Sequence, residues 1–334
     1  MAKIVYLIGA GASAHALPIV SKIPEKLEEV IEDLVNLRSI EGMIENEIEL
    51  INYAIDDLIW LKSESANHAS IDTFAKKLFV KNRVTELTRL KSSTGLFFSM
   101  LQTKNKVDPR YDQFIASIIG NSIGDLPKDI CIVSWNYDNQ FELAFKEYSD
   151  HHSIDNQEVF LGMIHKNHLK QFEKDKFSIF KINGTSGSFS YGTDQKRNLL
   201  NRTDEVYDSK FLRNLVIEYL KISDNLTRYK NFNPLMSFAW EQDQKFEELI
   251  NQLKEKIKNC QTLVIIGYSI PFFNRKIDKE ILDTMSNLRT IYIQDMYPET
   301  IKQRLFQLIP VTEQKSIRVE YSNDLNQFLI PYEL

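Results

Sequence analysis

Asn136-Tyr137-Asp138 is the stretch of this chain best equipped for chemistry. Asn136 offers a hydrogen-bond donor and an acceptor, and Asp138 offers acceptors. They follow Ile130–Val133, an aliphatic run that reads as a buried strand. At the carboxyl end of a parallel strand, such side chains can hold a carboxamide and position a water. The competing reading is local: Asn136 caps a helix containing Phe141, Leu143 and Phe145. Asn183-Gly184-Thr185-Ser186-Gly187 is a second polar turn, after Phe177–Ile182. Gly267-Tyr268-Ser269-Ile270-Pro271 is a third, after Thr262–Ile266. The fourth, Gly9-Ala10-Gly11-Ala12-Ser13, follows Ile4–Ile8 and with Ala14 completes a G-x-G-x-x-A dinucleotide fingerprint. Without bulky side chains its N–H groups can approach a pyrophosphate, and a helix starting there would attract anions. A tight strand–helix turn with no ligand is the alternative. The acidic residue that should end a second strand about 20 residues on is missing. Four such turns at four strand ends can converge on one crevice.

The elements that must position these turns are legible too. The chain has 334 residues, 43% of them hydrophobic, enough for a sizeable core. Two further runs, Thr290–Ile293 before Asp295 and Ile317–Tyr321 before Asn323, complete a set of continuous apolar segments bounded by polar residues. These predict an α/β fold: a Rossmann-like parallel sheet of about six strands, flanked by helices. After Pro24, Leu27, Val30, Ile31, Leu34 and Leu37 recur at helical spacing, with Glu28, Glu29, Glu32 and Asp33 opposite. The segment 241–259, with Phe246, Leu249, Ile250, Leu253 and Ile257, is another amphipathic helix. The next strand after Ile8 comes only near residue 130, so residues 25–126 read as a helical insertion after the first strand. A second insertion is expected at 188–240. The expected organisation is a single domain over 1–334, its core at 1–24, 127–187 and 260–334.

Composition narrows the function. A formal net charge of −5 argues against a chain built to grip nucleic acid; only scattered residues such as Lys104 and Lys106 favour it. Two cysteines, Cys131 and Cys260, exclude a disulfide framework and a four-thiolate zinc site. No apolar run reaches the ~18 residues of a membrane span, and Met1–Gly9 reads as a strand running into a turn. The expected compartment is the cytoplasm. His15 follows the phosphate-type turn and is a candidate to face the crevice. His68, His151, His152, His165 and His168 read as solvated or structural; His165 and His168 lack the carboxylate that would complete a metal site. Asp72 reads as a cap or brace for the helix carrying Phe74. Phe97-Phe98 and Phe238-Ala239-Trp240 read as core.

Taken in order, the Gly9–Ser13 turn, Ser70-Ile71-Asp72-Thr73-Phe74, Asn136-Tyr137-Asp138, the 183–187 turn, Gly267-Tyr268-Ser269 and Asp295 resemble the motifs of sirtuin-like proteins. The resemblance is in particular to the bacterial sirtuin-like domains of antiphage defence, and it spans essentially the whole chain. It implies an NAD-binding Rossmann-like domain. Gly9, Ala10, Gly11 and Ser13 would take the phosphates, and Asn136 and Asp138 the nicotinamide end. Gly267 and Ser269, with Tyr268 between them, would line phosphate and ribose, Asp295 the adenosine ribose, and Gly184 is a further cofactor-binding candidate. Asp295 in that place would favour NAD over NADP.

Two departures shape the expected activity. Deacylating sirtuins carry a four-cysteine zinc module, which two distant cysteines cannot build, so the resemblance implies NAD hydrolysis, without metal, and no deacetylation. Asn183 also stands where the family carries its catalytic His, and a neutral amide cannot take up a proton as imidazole can. The implied function is an NAD glycohydrolase that depletes NAD in abortive infection. Such an enzyme must be gated, which implies a companion sensor or regulatory protein and a homo- or hetero-oligomer. A catalytically impaired subunit that binds NAD or ADP-ribose is the alternative. An ordinary Rossmann dehydrogenase would need an acidic strand end near residues 30–35, where the pattern is helical.

Overall fold

In the strand Ile4–Ile8, Ile4, Tyr6 and Ile8 join one buried cluster while Val5 and Leu7 join another. A strand that is apolar on both faces must lie inside a covered sheet. The computed structural model describes residues 1–40, 42–151, 153–169, 173–191, 195–201, 206–228 and 232–334. Its strands are β1 (Ile4–Ile8), β2 (Ile130–Ser134), β3 (Met163–His165), β4 (Ser178–Lys181), β5 (Gly184–Tyr191), β6 (Gln195–Asn198), β7 (Phe232–Met236), β8 (Thr262–Ile266), β9 (Thr290–Gln294) and β10 (Arg318–Ser322). Seven of them form a parallel sheet in the order β10-β9-β8-β1-β2-β4-β3. From β1 the chain builds toward β3 on one side and later toward β10 on the other. That reversal beside β1 is the switch point of a doubly wound fold.

Helices α1 (Ile23–Arg38), α2 (Glu45–Asn67), α3 (Ile71–Val80), α4 (Val84–Asn105) and α5 (Pro109–Ile118) separate β1 from β2. Then come α6 (Gln140–Lys146), α7 (Ile154–Phe160), α8 (Ser209–Arg228), α9 (Gln244–Ile257), α10 (Arg275–Thr284) and α11 (Pro298–Phe306). One sheet face is covered by α9, α10 and α11, through residues such as Phe246, Ile281 and Leu305. The other is covered by α5 and α6, through Phe114, Phe141 and Phe145, and by Phe328 near the C-terminus. A third cluster gathers α1–α4, α8, Phe189 of β5 and Met236 of β7. The stretch read as one helical insertion therefore divides: α1–α4 pack with α8, and α5 packs on the sheet.

Three local features depart from the sequence reading. The sheet has seven strands, because three-residue β3 pairs with β4 and is too short to show as an apolar run. The polar turn expected at 183–187 is the start of β5, in a separate antiparallel sheet of order β6-β5-β7. Its Gly184 has φ +66°, and a Cβ there would fall 2.0 Å from the Leu235 carbonyl oxygen. Finally, the Gly9–Ser13 turn opens a four-residue 3-10 turn, Ala10–Ser13, and α1 starts only at Ile23. The helix dipole expected behind a phosphate turn is thus reduced to its first peptide units.

Candidate active site

The register of the sheet lines up its carboxyl edge. Ile8 pairs with Ser134 and with Ile266, and Ile266 pairs with Gln294. The next residues therefore leave the sheet side by side: Trp135, Gly9, Gly267 and Asp295. Their N–H groups still close the ladder, Trp135 onto Ile8 O at 2.9 Å, Gly9 onto Ile266 O at 3.1 Å and Gly267 onto Gln294 O at 3.1 Å.

Just beyond this edge, Asn136, Ser13 and Asp138 converge. Asn136 Nδ2 donates to Gly9 O at 3.0 Å and to Ser13 Oγ at 3.2 Å. Ser13 Oγ donates to Asp138 Oδ2 at 2.7 Å and lies 2.8 Å from the Tyr111 hydroxyl. All four residues are buried. Asn136 is thus turned inward and does not cap the following helix; α6 starts after Asn139 with no side-chain cap. Asp138 Oδ1 instead accepts from Gln140 N at 3.2 Å. Burial pushes the Asp138 carboxyl above the usual range, and the nearby Lys181 charge opposes it.

The 135–138 loop is gripped through its carbonyl groups. Asn183 Nδ2 donates to Trp135 O at 2.9 Å, Ser186 N to Tyr137 O at 2.7 Å, and Lys181 Nζ to Asp138 O. Lys181 also pairs with Glu142 at 2.9 Å, and both are almost fully buried. Asn139 Nδ2 donates to the same carboxylate at 3.0 Å, while Asn139 N donates to Gln102 of α4 at 2.6 Å. Asn183 Oδ1 is buried without a hydrogen-bond partner among the described residues, as are the hydroxyls of Thr185, Ser186 and Ser237. Ser237 N donates to Asn183 O at 2.8 Å, so these groups are neighbours. Buried polar atoms of this kind normally meet a ligand or water.

The glycines have a second reason to be glycine. Gly11 N donates to Gly267 O at 2.9 Å, and a Cβ on Gly11 would lie 2.7 Å from Gly267 Cα. Gly267 has φ +57°, and its own Cβ would lie 2.4 Å from Ala12 N. The close backbone approach expected for a pyrophosphate is made in this structure by the β8 loop. Ala10 is exposed and Gly11 half-buried, so the outer side of the turn is open. Beneath it, buried Arg110 donates to Ala12 O at 2.9 Å and is locked by Asp108 at 2.6 Å. Sequence reasoning missed both residues; Asp108-Pro109 is a helix-start signature that marks them.

Tyr268 and Ser269 diverge. Tyr268 is buried, stacked on Trp135 at 5.7 Å and donating to Asp278 at 2.9 Å, so its ring braces the edge. Burial pushes Asp278 up to about 7. Ser269 is exposed, and its carbonyl accepts from Arg304 at 2.6 Å. Asp295 is half-buried and accepts from Tyr297 N at 2.9 Å. Ser70 caps α3, with Thr73 N donating to its Oγ at 3.1 Å, so Asp72 does not. Asp72 is half-buried in the first turn of α3, and burial pushes its carboxyl up to about 6. His15 is exposed, with Nδ1 3.8 Å from buried Asp108. His165 is buried in β3 and stacked with His168 at 5.6 Å, far along the sheet. His152 lies outside the described residues. A cavity of about 280 Å³ opens between α5, Gln294 and the segment 322–330; Asn136 does not line it. Among the described residues, no helix is long and apolar enough to cross a membrane, and no group of three potential metal ligands occurs.

Sheet order and edge define a doubly wound α/β protein with a buried polar network beside its switch point. No family model matches the chain, and no curated protein does. Among solved structures it is similar to one of Sir2Tm bound to a propionylated peptide, at 10% identity over 97% of this chain and 88% of that one, with a TM-score of 0.38. A likeness at that level adds nothing to what the sheet order already shows.

Proposed function

We propose that this chain binds NAD at the carboxyl edge beside β1 and hydrolyses it to nicotinamide and ADP-ribose. The observation that supports this most is the meeting of Ser13 with Asn136 and Asp138, 123 and 125 residues away in sequence, in one buried network at the switch point. The orphaned Asn183 Oδ1 and its neighbouring hydroxyls fit a polar, uncharged group such as a carboxamide or ribose. Arg110 beneath the Gly9–Ser13 turn and Arg304 at Ser269 put two guanidinium groups near where phosphates would lie. Gly9, Ala10 and Gly11 would face the phosphates with Gly267 and Ser269. Asn136 and Asp138 would orient the nicotinamide end, and Asp295 the adenosine ribose. Gly184 and Tyr268 shape the crevice without touching its contents.

The resemblance to sirtuin-like antiphage proteins extends this to an effector that depletes NAD in the cytoplasm once a companion protein or self-assembly releases it. A second reading has its own observation. Asn183 uses its amide nitrogen to clamp Trp135 and offers no proton acceptor of useful basicity, which suits a subunit that binds NAD or ADP-ribose without cleaving it. NAD turnover by the purified protein, with and without the products of neighbouring genes, separates the two. Turnover abolished by Asn136→Ala supports hydrolysis; tight binding with no turnover supports the second reading. A protein that does not bind NAD refutes both.

A further inference from the structure

We propose that β10 is a dimerisation edge: two copies of this chain pair their β10 strands antiparallel about a two-fold axis at Val319, joining their parallel sheets into one. The inference is independent of the NAD reading, which stands or falls without it. β10 ends the seven-stranded sheet, with β9 as its strand partner among the described residues. Alone among the seven strands it has no buried residue. Its register is unbroken, from Arg318 opposite Thr290 to Ser322 opposite Gln294, and residues 317–322 contain no proline. Bulges and prolines are what ordinarily blunt such an edge, and without them it is a template for another strand. Arg318 N donates to Arg289 O at 2.8 Å, on the β9 side. By the alternation of a strand, Glu320 and Ser322 face β9 in the same way, and Val319 and Tyr321 turn their N–H and C=O groups outward.

The side chains select the strand that fits. Arg318 and Glu320 share one face of β10, where Arg318 pairs with Glu320 at 3.1 Å and with Glu333 at 3.5 Å. Ile317, Val319 and Tyr321 share the other. There Ile317 and Val319 pack against the cluster of α9–α11, and Lys302 Nζ lies 5.9 Å from the centre of the Tyr321 ring. An antiparallel copy centred on Val319 sets Arg318 opposite Glu320 of the second copy, and Glu320 opposite Arg318. On the other face Val319 meets Val319, and Tyr321 meets Ile317. Centring the axis on Glu320 or on Arg318 instead sets two like charges face to face, which opposes pairing. A strand of unrelated sequence leaves both charges unmatched, so the residues that guard this edge against chance pairing also favour a second copy. Exposed Tyr332 and Leu334 flank Glu333 and supply apolar surface beside the ladder.

Sedimentation of the purified chain between about 1 and 100 μM should show a species of twice the monomer mass. Arg318→Glu and Glu320→Arg, each alone, turn both cross-strand pairs into like-charge pairs and should weaken association by about tenfold or more. Mixing the two single variants sets opposite charges together again and should return most of the affinity. Arg318→Glu/Glu320→Arg in one chain should do the same. Val319→Pro removes an outward N–H at the centre of the ladder and leaves the β9 pairing alone, so it should give a monomer with the circular dichroism of the wild type. A wild type that stays monomeric over this range overturns the proposal and leaves the edge to a different chain. So does a dimer that neither single charge variant weakens, one that persists in folded Val319→Pro, or a pair of single variants that do not associate when mixed.

Discussion

Removing the Lys181 charge should destabilise the 135–138 loop. Lys181 Nζ donates to Glu142 at 2.9 Å and to the Asp138 carbonyl, in a place almost without solvent. In Lys181→Met, Glu142 keeps, among the described residues, only Asn139 Nδ2 as a donor, and its Oε2 already has none there. An unpaired buried carboxylate typically costs 3–5 kcal/mol, and the orphaned Asp138 carbonyl adds to that. Against a total stability on the order of 5–15 kcal/mol, the variant should be severely weakened. The double variant Lys181→Met/Glu142→Leu removes the stranded charge and should recover about 2 kcal/mol or more of the loss, leaving the carbonyl and Asn139 amide unpaired. Urea unfolding followed by far-ultraviolet circular dichroism reads both, with the slope checked for constancy. A single variant that loses under about 1 kcal/mol, or a double variant no better than the single, would refute the claim that this pair holds the loop.

Stability should also fall as pH rises from about 4 to 7, because Asp278 has a folded pKa of about 7 against an unfolded value near 4. Its contribution is fully present below the unfolded value and is lost through the folded one, so Asp278→Asn should flatten that part of a stability–pH curve; an unchanged slope counts against the assignment. Gly267→Ala should cost more than about 2 kcal/mol, since its Cβ would meet backbone at 2.4 Å in a left-handed conformation. Gly124→Ala, with open space around it, should stay within about 0.5 kcal/mol, and thermal unfolding of the two variants compares them directly. Under the hydrolase reading, restoring imidazole with Asn183→His should raise NAD turnover; an unchanged rate would show that the missing base does not limit cleavage.

The parallel sheet was legible because its strands are buried on both faces and therefore apolar throughout, as in Ile130–Ser134 and Thr262–Ile266. Polar residues after such runs mark the carboxyl edge by register alone, which is why Gly9, Asn136, Gly267 and Asp295 could be grouped. β3 escaped notice because three residues carry no period. The strand β5 escaped because Gly184-Thr185-Ser186-Gly187 looks like a turn, and only burial against α4 and β7 makes it extended. The Arg110–Asp108 lock is a tertiary fact: Asp108-Pro109 marks a helix start, and nothing in that spacing says that Arg110 will reach the Ala12 carbonyl.

The same tertiary contacts change what Asn183 means. Read along the chain, it is a lost catalytic group. In the folded protein its amide donates to Trp135 O and leaves an acceptor facing inward, two jobs that a neutral imidazole would also do. What imidazole adds is basicity alone. The position can therefore keep its part in shaping the 135–138 loop whichever group takes up a proton, and Asn183→His measures what basicity at that place would add.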